Sequence, residues 1–298
     1  MPLSLMATAA FVALLWAGNF VLTQAALDAH MTPLLLIAAR FITASGLVFI
    51  TPRPVGVSWL ALAGLGLGLG LGQFALATMA MQAGLSPALT SVVLQTQCLI
   101  TMGLATVFLG ERPTLRTLGG AAVAVVGLGA LVSFGSPCRL GLALAIGSAI
   151  GAAALNVVVK RLAHSAEPVR IAVWIAPFPV LPLLALSFIA EGSPVAILRH
   201  SDPVVAAPAI LFGGLISTVL CTALWTRLLR RAPASSVAPF TLLVPVFAAA
   251  LSVAIDQTPP EPGSLLPVCA VLAGLVLAHG PMPARLSSTS SARVRVGA

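Results

Sequence analysis

The chain has 298 residues, 59% of them hydrophobic and 7% charged, and its mean hydropathy is +1.09. A soluble domain carries about 25% charged residues, so this chain lacks the polar surface to cover a water-facing globule; it reads as an integral membrane protein and not as a soluble enzyme. The 15 Lys and Arg outnumber the 7 Asp and Glu, but they fall in short gaps between apolar runs, where they report membrane orientation and not nucleic-acid binding.

In chain order the apolar runs are 3–27, 33–51, 58–81, 86–109, 114–134, 140–163, 168–190, 204–229, 234–255 and 263–280. About 20 apolar residues cross a bilayer core as a helix, and backbone in lipid must satisfy its own hydrogen bonds, so each run is predicted to be a transmembrane helix. Turn signals separate them, among them Gly84 to Pro87, Gly110 to Pro113, Gly135 to Pro137 and the long loop Glu191 to Pro203. The first run lacks a cationic leader region and is too long for a signal-peptide core, so it reads as a retained span.

If the amino terminus is cytoplasmic, one side of the membrane receives twelve cations, from Arg53 to Arg295, and the other receives Arg139 and Arg199. That split follows the positive-inside rule and places both termini in the cytoplasm. Residues 281–298 are rich in Ser and Arg and read as a disordered cytoplasmic tail. Lys160 is the single lysine among many arginines, a composition that points to a GC-rich bacterial genome. Cys98, Cys138, Cys221 and Cys269 show no metal-binding or redox spacing and read as small packing residues, with no metal or cofactor expected.

Polar and aromatic residues inside the spans are the candidates for substrate binding. Trp16 and Asn19 lie three residues apart on neighbouring parts of one helix face. Asn19, like Asn156 in the sixth span, either bonds a neighbouring helix or lines a cavity, because a buried amide needs partners. Arg40 is the one charge well inside a span. A central Arg costs about 2.5–3.5 kcal/mol on insertion scales, so it either snorkels or turns into the bundle, where it can hold a substrate carboxylate or a backbone carbonyl.

In the third span Gly64, Gly66, Gly68, Gly70 and Gly72 form overlapping GxxxG spacings that allow close helix contact on two faces, and Gln73 and Thr78 follow. In the fourth, Thr90, Gln97 and Thr101 share a narrow strip that Ser91, Gln95 and Cys98 widen into an arc too polar to face lipid. Trp174 and Trp225 lie towards mid-helix, where stacking on an apolar substrate competes with packing; Trp59, at a span end, reads as an interface anchor. Phe240 and Pro245 either pack the core or shape the same cavity. The candidate substrate-binding residues are therefore Trp16, Asn19, Arg40, Gln73, Thr78, Ser91, Gln95, Gln97, Asn156, Trp174, Trp225 and Phe240.

The halves of the chain also match one another locally. Ala17-Gly18-Asn19-Phe20-Val21 aligns with Ala154-Leu155-Asn156-Val157-Val158, and further on Pro87 aligns with Pro233 and Glu111 with Gln257. Five spans per half, an odd number, oblige the halves to enter the membrane from opposite sides, an arrangement used by transporters with a site near the midplane. The expected fold is all-α, ten transmembrane helices in two inverted five-helix repeats around a central cavity, with residues 1–137 as the first repeat and 138–280 as the second.

Ala17-Gly18-Asn19-Phe20 in the first span, Arg40-Phe41 in the second, Leu109-Gly110-Glu111-Arg112 closing the fourth, the glycine-rich fifth span and Pro245 in the ninth together resemble the EamA branch of the drug/metabolite transporter superfamily over residues 3–280. Asp256-Gln257, where that family usually has a glutamate, and Cys98, near a common proline position, depart from its pattern. The resemblance implies a bacterial inner-membrane exporter of amino acids or related metabolites, nearest to exporters of aromatic amino acids.

The seven carboxylates all lie away from the middle of the spans, and His30, His164, His200 and His279 sit in loops or at span ends. No constellation for catalysis stands at membrane depth, so the chain does not read as an enzyme; alternating access without an ion site is expected. The expected partners are the lipid bilayer and a small net-neutral solute, handled by a monomer. The alternatives are a multidrug or other metabolite exporter of the same fold, and a non-transporting receptor or structural membrane protein.

Overall fold

The structure, a computed structural model, describes residues 1–85, 90, 93–129, 138–162, 166–256, 273, 274 and 277. Among these residues every regular element is helical: α1 (Leu3–Asp28), α2 (Pro33–Ser45), α3 (Trp59–Met81), α4 (Gln97–Leu109), α5 (Leu115–Gly129), α6 (Arg139–Leu162), α7 (Pro168–Trp174), α8 (Val180–Ala190), α9 (Pro194–His200), α10 (Pro203–Arg231), α11 (Ala234–Val237) and α12 (Leu243–Asp256). The start of the predicted fourth span, the end of the fifth, nearly all of the tenth and the tail lie outside the described residues.

Local chemistry sets the helix ends. Pro at the first helical position opens α2, α7, α9 and α10, where a missing N–H costs nothing. The Asp202 carboxylate caps α10 by accepting from the Val204 N–H at 2.9 Å. Gly110 follows α4 at φ 67°, the left-handed conformation that terminates helices and that glycine adopts without steric cost. The predicted seventh span is divided into α7 and α8, with Pro177 and Pro179 between them. The stretch predicted as one long loop, Glu191 to Pro203, contains the short helix α9, bent by 77° from α8.

By length and composition α1, α3, α6 and α10 are each able to cross a bilayer alone. Phe11, Phe49, Leu60, Val107, Leu115 and Phe188 are exposed, and the lipid belt accommodates them at no cost. The start of α1 packs against the end of α10 through Ala9, Val12 and Leu228, and its end packs against the start of α10 through Ala26, Ala206 and Ala209, so the two helices run antiparallel.

The glycines of α3 admit neighbours on two faces, as their spacing predicts. A Cβ on Gly66 or Gly70 would stand 2.2 Å from the Ile175 carbonyl oxygen or 2.3 Å from Pro179. One on Gly68 would stand 2.9 Å from Leu155 of α6, whose Gly151 in turn presses against the backbone of Gly72. Gly64 meets nothing within 4 Å and takes no part in either contact.

α3 and α10 share a second feature. Each widens to π-helical turns near its middle, over Gly68–Ala75 and Phe212–Leu220. Such turns leave the regular hydrogen-bond ladder and often mark sites where a helix does more than span.

Candidate functional site: a cavity at Arg40 and an asparagine–tryptophan network

Arg40 turns into the bundle. It is 6% exposed, its Nε donates to Thr218 Oγ1 at 3.1 Å, and its Nη2 donates to Ser217 Oγ at 3.1 Å and to Thr218 Oγ1 at 3.0 Å. The Phe74 ring of α3 lies against the guanidinium, 4.4 Å from its centroid, in a cation–π contact. Thr218 is held by its own bond to the Gly213 carbonyl at 2.7 Å, a five-residue reach that the π-helical turns provide. The partners of this cation are thus neutral hydroxyls and a ring; among the described residues it forms no ion pair.

Arg40 lines a cavity of about 40 Å³, together with Asn19 and Thr23 of α1, Thr78 and Met81 of α3, and Ala209 and Gly213 of α10. At roughly 10–15 Å³ for each water, this holds about three waters and no whole amino acid. Gly213 keeps part of the space open. A Cβ there would lie 3.3 Å from Asn19 Oδ1 and 3.6 Å from Arg40 Nε, so the amide and the guanidinium face a shared gap. Asn19 makes no side-chain hydrogen bond among the described residues.

A second polar group lies deeper along α1, towards its start. Asn156 Nδ2 donates to Thr101 Oγ1 at 3.2 Å, and Asn156 Oδ1 accepts from Trp225 Nε1 at 2.9 Å. The Trp225 ring meets that of Trp16 at 5.1 Å, tilted by 54°. Residues of α1, α4, α6 and α10 are tied together in this way.

Two carboxylates close opposite ends of the bundle. At the end where α1 begins, Glu111 accepts from the Ala234 N–H at 2.9 Å, the Ser235 N–H at 3.0 Å and the Ser235 hydroxyl at 2.9 Å, and pairs with Lys160 Nζ at 3.4 Å. Burial alone would raise its pKa; the amide donors, the hydroxyl and the ammonium outweigh burial and hold Glu111 below the ordinary carboxyl value. Lys160 also donates to the Leu229 and Ala232 carbonyls at the end of α10. At the other end of α1, Glu191 accepts from the Leu34 and Leu35 N–H groups and from the Thr32 and Ser187 hydroxyls, which caps α2 from across the bundle.

Of the residues predicted to bind substrate, Asn19, Arg40 and Thr78 line the cavity. Trp16, Asn156 and Trp225 form the network, with Thr101 from the predicted polar strip of α4. Gln73 is half-buried, and its backbone carbonyl accepts from the Ser148 hydroxyl at 2.7 Å. Gln95 is buried with Oε1 unpartnered among the described residues; Gln97 is half-buried, and Ser91 lies outside the described residues.

Phe240 packs in the apolar cluster at the start of α1, the core alternative of its two readings. Trp174 is not brought to the cavity: its Nε1 donates to the Thr51 carbonyl at 2.9 Å beside the half-exposed Trp59, at the far end of α2. Cys98 and Cys221 are buried, as packing residues should be, whereas Cys138 is exposed just before α6.

Sequence reasoning passed over Thr23, Phe74, Gly213, Ser217 and Thr218. The signal for the last three was present, since Ser217-Thr218 lies one helical turn past Gly213-Gly214 and hydroxyls beside a close approach are able to receive a donor from the facing helix.

The model of the EamA-like transporter family matches residues 3–133 and again 139–279. The chain belongs to that family. As an EamA-like protein it is a multi-pass membrane protein of transporter type. It is 32% identical over 247 residues to a probable amino-acid metabolite efflux pump of Salmonella typhimurium, and 32% identical over 249 residues to one of Escherichia coli. Each comparison covers 80% of this chain and 82% of the relative. A solved crystal structure, 18% identical, covers 91% of this chain and 94% of its own with a TM-score of 0.73, which shows a shared fold. Asn19, Arg40 and Thr78 fall in the first family match, and Ala209 and Gly213 in the second, so the cavity of this EamA-like protein lies between them.

Proposed function

We propose that the chain exports amino-acid metabolites, aromatic amino acids among them, across the bacterial inner membrane by alternating access between two inverted five-helix repeats, with both termini cytoplasmic. The observation that carries this reading is the cavity between the two family-matched halves, largely apolar but with the polar groups of Asn19 and Arg40 on one side and Gly213 on the other. Transporters of inverted-repeat architecture bind solute at that kind of junction.

Holding only a few waters, the cavity represents a closed conformation; solute enters when the walls separate. The π-helical turns lie in α3 and α10, which hold the third predicted span of each proposed repeat, and they support the pairing of the halves. Glu111 and Glu191 are suited to fasten opposite ends of the bundle in turn. Phe74 on Arg40, and Trp16 one helical turn from Asn19, supply rings for an aromatic side chain. The proposed transporting unit is the monomer.

Counterflow of labelled amino acids through liposomes containing the pure protein tests this reading. Accumulation of label that requires unlabelled amino acid on the opposite side is expected. Accumulation of unrelated drugs but no amino acid, or binding without flux, overturns it.

A further inference from the structure

Resting on the export reading, we infer that Arg40 is the anchor for the carboxylate of the transported solute, in a subsite that Gly213 keeps open. The guanidinium is more than nine-tenths buried, its Nε and Nη2 are spent on the hydroxyls of Ser217 and Thr218, and Nη1 has no hydrogen-bond partner among the described residues. A buried cation without a counter-anion is unfavourable in a bilayer. Tying α2 to α10 through two hydroxyls requires no charge, so linkage between the helices does not account for an arginine here.

A carboxylate entering the cavity does account for it. A guanidinium offers planar, charge-assisted donors that match the two oxygens of a carboxylate. Asn19, across the gap at Gly213, adds an amide that is free to accept from the solute's ammonium or donate to its second oxygen. In this closed conformation the cavity has room for the head of an amino acid and not for its side chain, which reaches the rings of Phe74 and Trp16 once the walls separate. The substrate class is therefore solutes with a free carboxylate; their amides and decarboxylated amines are rejected.

In proteoliposomes, each standard amino acid is compared with its carboxamide as a competitor of counterflow. Wild type is expected to prefer the acid by about tenfold or more, the range of one charge-assisted hydrogen bond. Arg40→Gln is expected to bring that ratio close to one by raising KM for the acid alone; a merely structural role would slow both forms equally. Gly213→Ala provides a second route if Arg40→Gln fails to fold, because the new methyl meets nothing nearer than 3.3 Å. It fills the gap and is expected to raise KM for acids severalfold.

Equal transport of acid and amide by wild type, or a ratio unchanged in both variants, overturns the carboxylate anchor and leaves export intact. Transport of neither form overturns the export reading and the anchor together.

Discussion

Asn19 and Asn156 align when the two halves of the chain are superposed in sequence, yet their surroundings differ. Asn156 is fully engaged: one end of its amide donates to Thr101 and the other accepts from Trp225. Asn19, half-buried, has no side-chain partner among the described residues and faces the cavity beside Arg40. A buried amide must be satisfied by something. Where the protein supplies both partners the residue is cement; where it supplies none, water or solute must take their place. The same residue type is thus tied into a seam in one half and left facing a cavity in the other.

The largest effect is expected on the cemented side. Asn156→Leu leaves the Trp225 N–H and the Thr101 hydroxyl unpartnered, at about 1–3 kcal/mol for each group. Thermal unfolding in detergent should fall by several degrees, and Thr101→Val added to Asn156→Leu should cost less than the separate losses combined, because the two residues share a bond. Additive losses would dissolve the contrast between the two asparagines.

A somewhat smaller effect concerns the clamp near Asn156, for Lys160 lies one turn further along α6 and pairs with Glu111. The folded pKa of Glu111 is below the ordinary 4.5. Its stabilisation is therefore complete above that value and is lost as pH falls through the lower folded value. Wild type should lose thermal stability on acidification below about pH 4.5, and Glu111→Gln should be less stable at pH 7 and flatter with acid. The Asn19 cavity is lined by no carboxylate, so no matching acid dependence is expected there.

What the sequence revealed follows the same division. The apolar runs and the two-faced glycine contacts of α3 were legible because lipid and close packing impose composition directly on helices. Arg40 was legible as well, since an intramembrane charge always needs an explanation. The split between Asn19 and Asn156 was not, because it depends on which side chains of other helices arrive opposite each amide. Ser217 and Thr218 were missed for that reason: hydroxyls are common in membrane helices, and only the π-helical turns of α10 aim these two at Arg40. Trp174 looked central because it lies within an apolar run, but that run is divided at Ile175–Pro179, and its indole reaches Thr51.

The smallest effect on stability, and the sharpest test of the comparison, belongs to Asn19→Ala. With no hydrogen bond to lose inside the protein, it should leave thermal unfolding within about 0.5 kcal/mol of wild type, the usual range for a change that removes no packing or buried partner. Its consequence should appear in transport, as a higher KM for the amino acid with expression unchanged, since an amide that has been waiting for a solute is missed only when the solute arrives. A loss of stability comparable to that of Asn156→Leu would mean that Asn19 has a partner within the protein. The two halves would then be cemented alike, and the cavity would have to find its polar contact for solute at Arg40 and Thr78 alone.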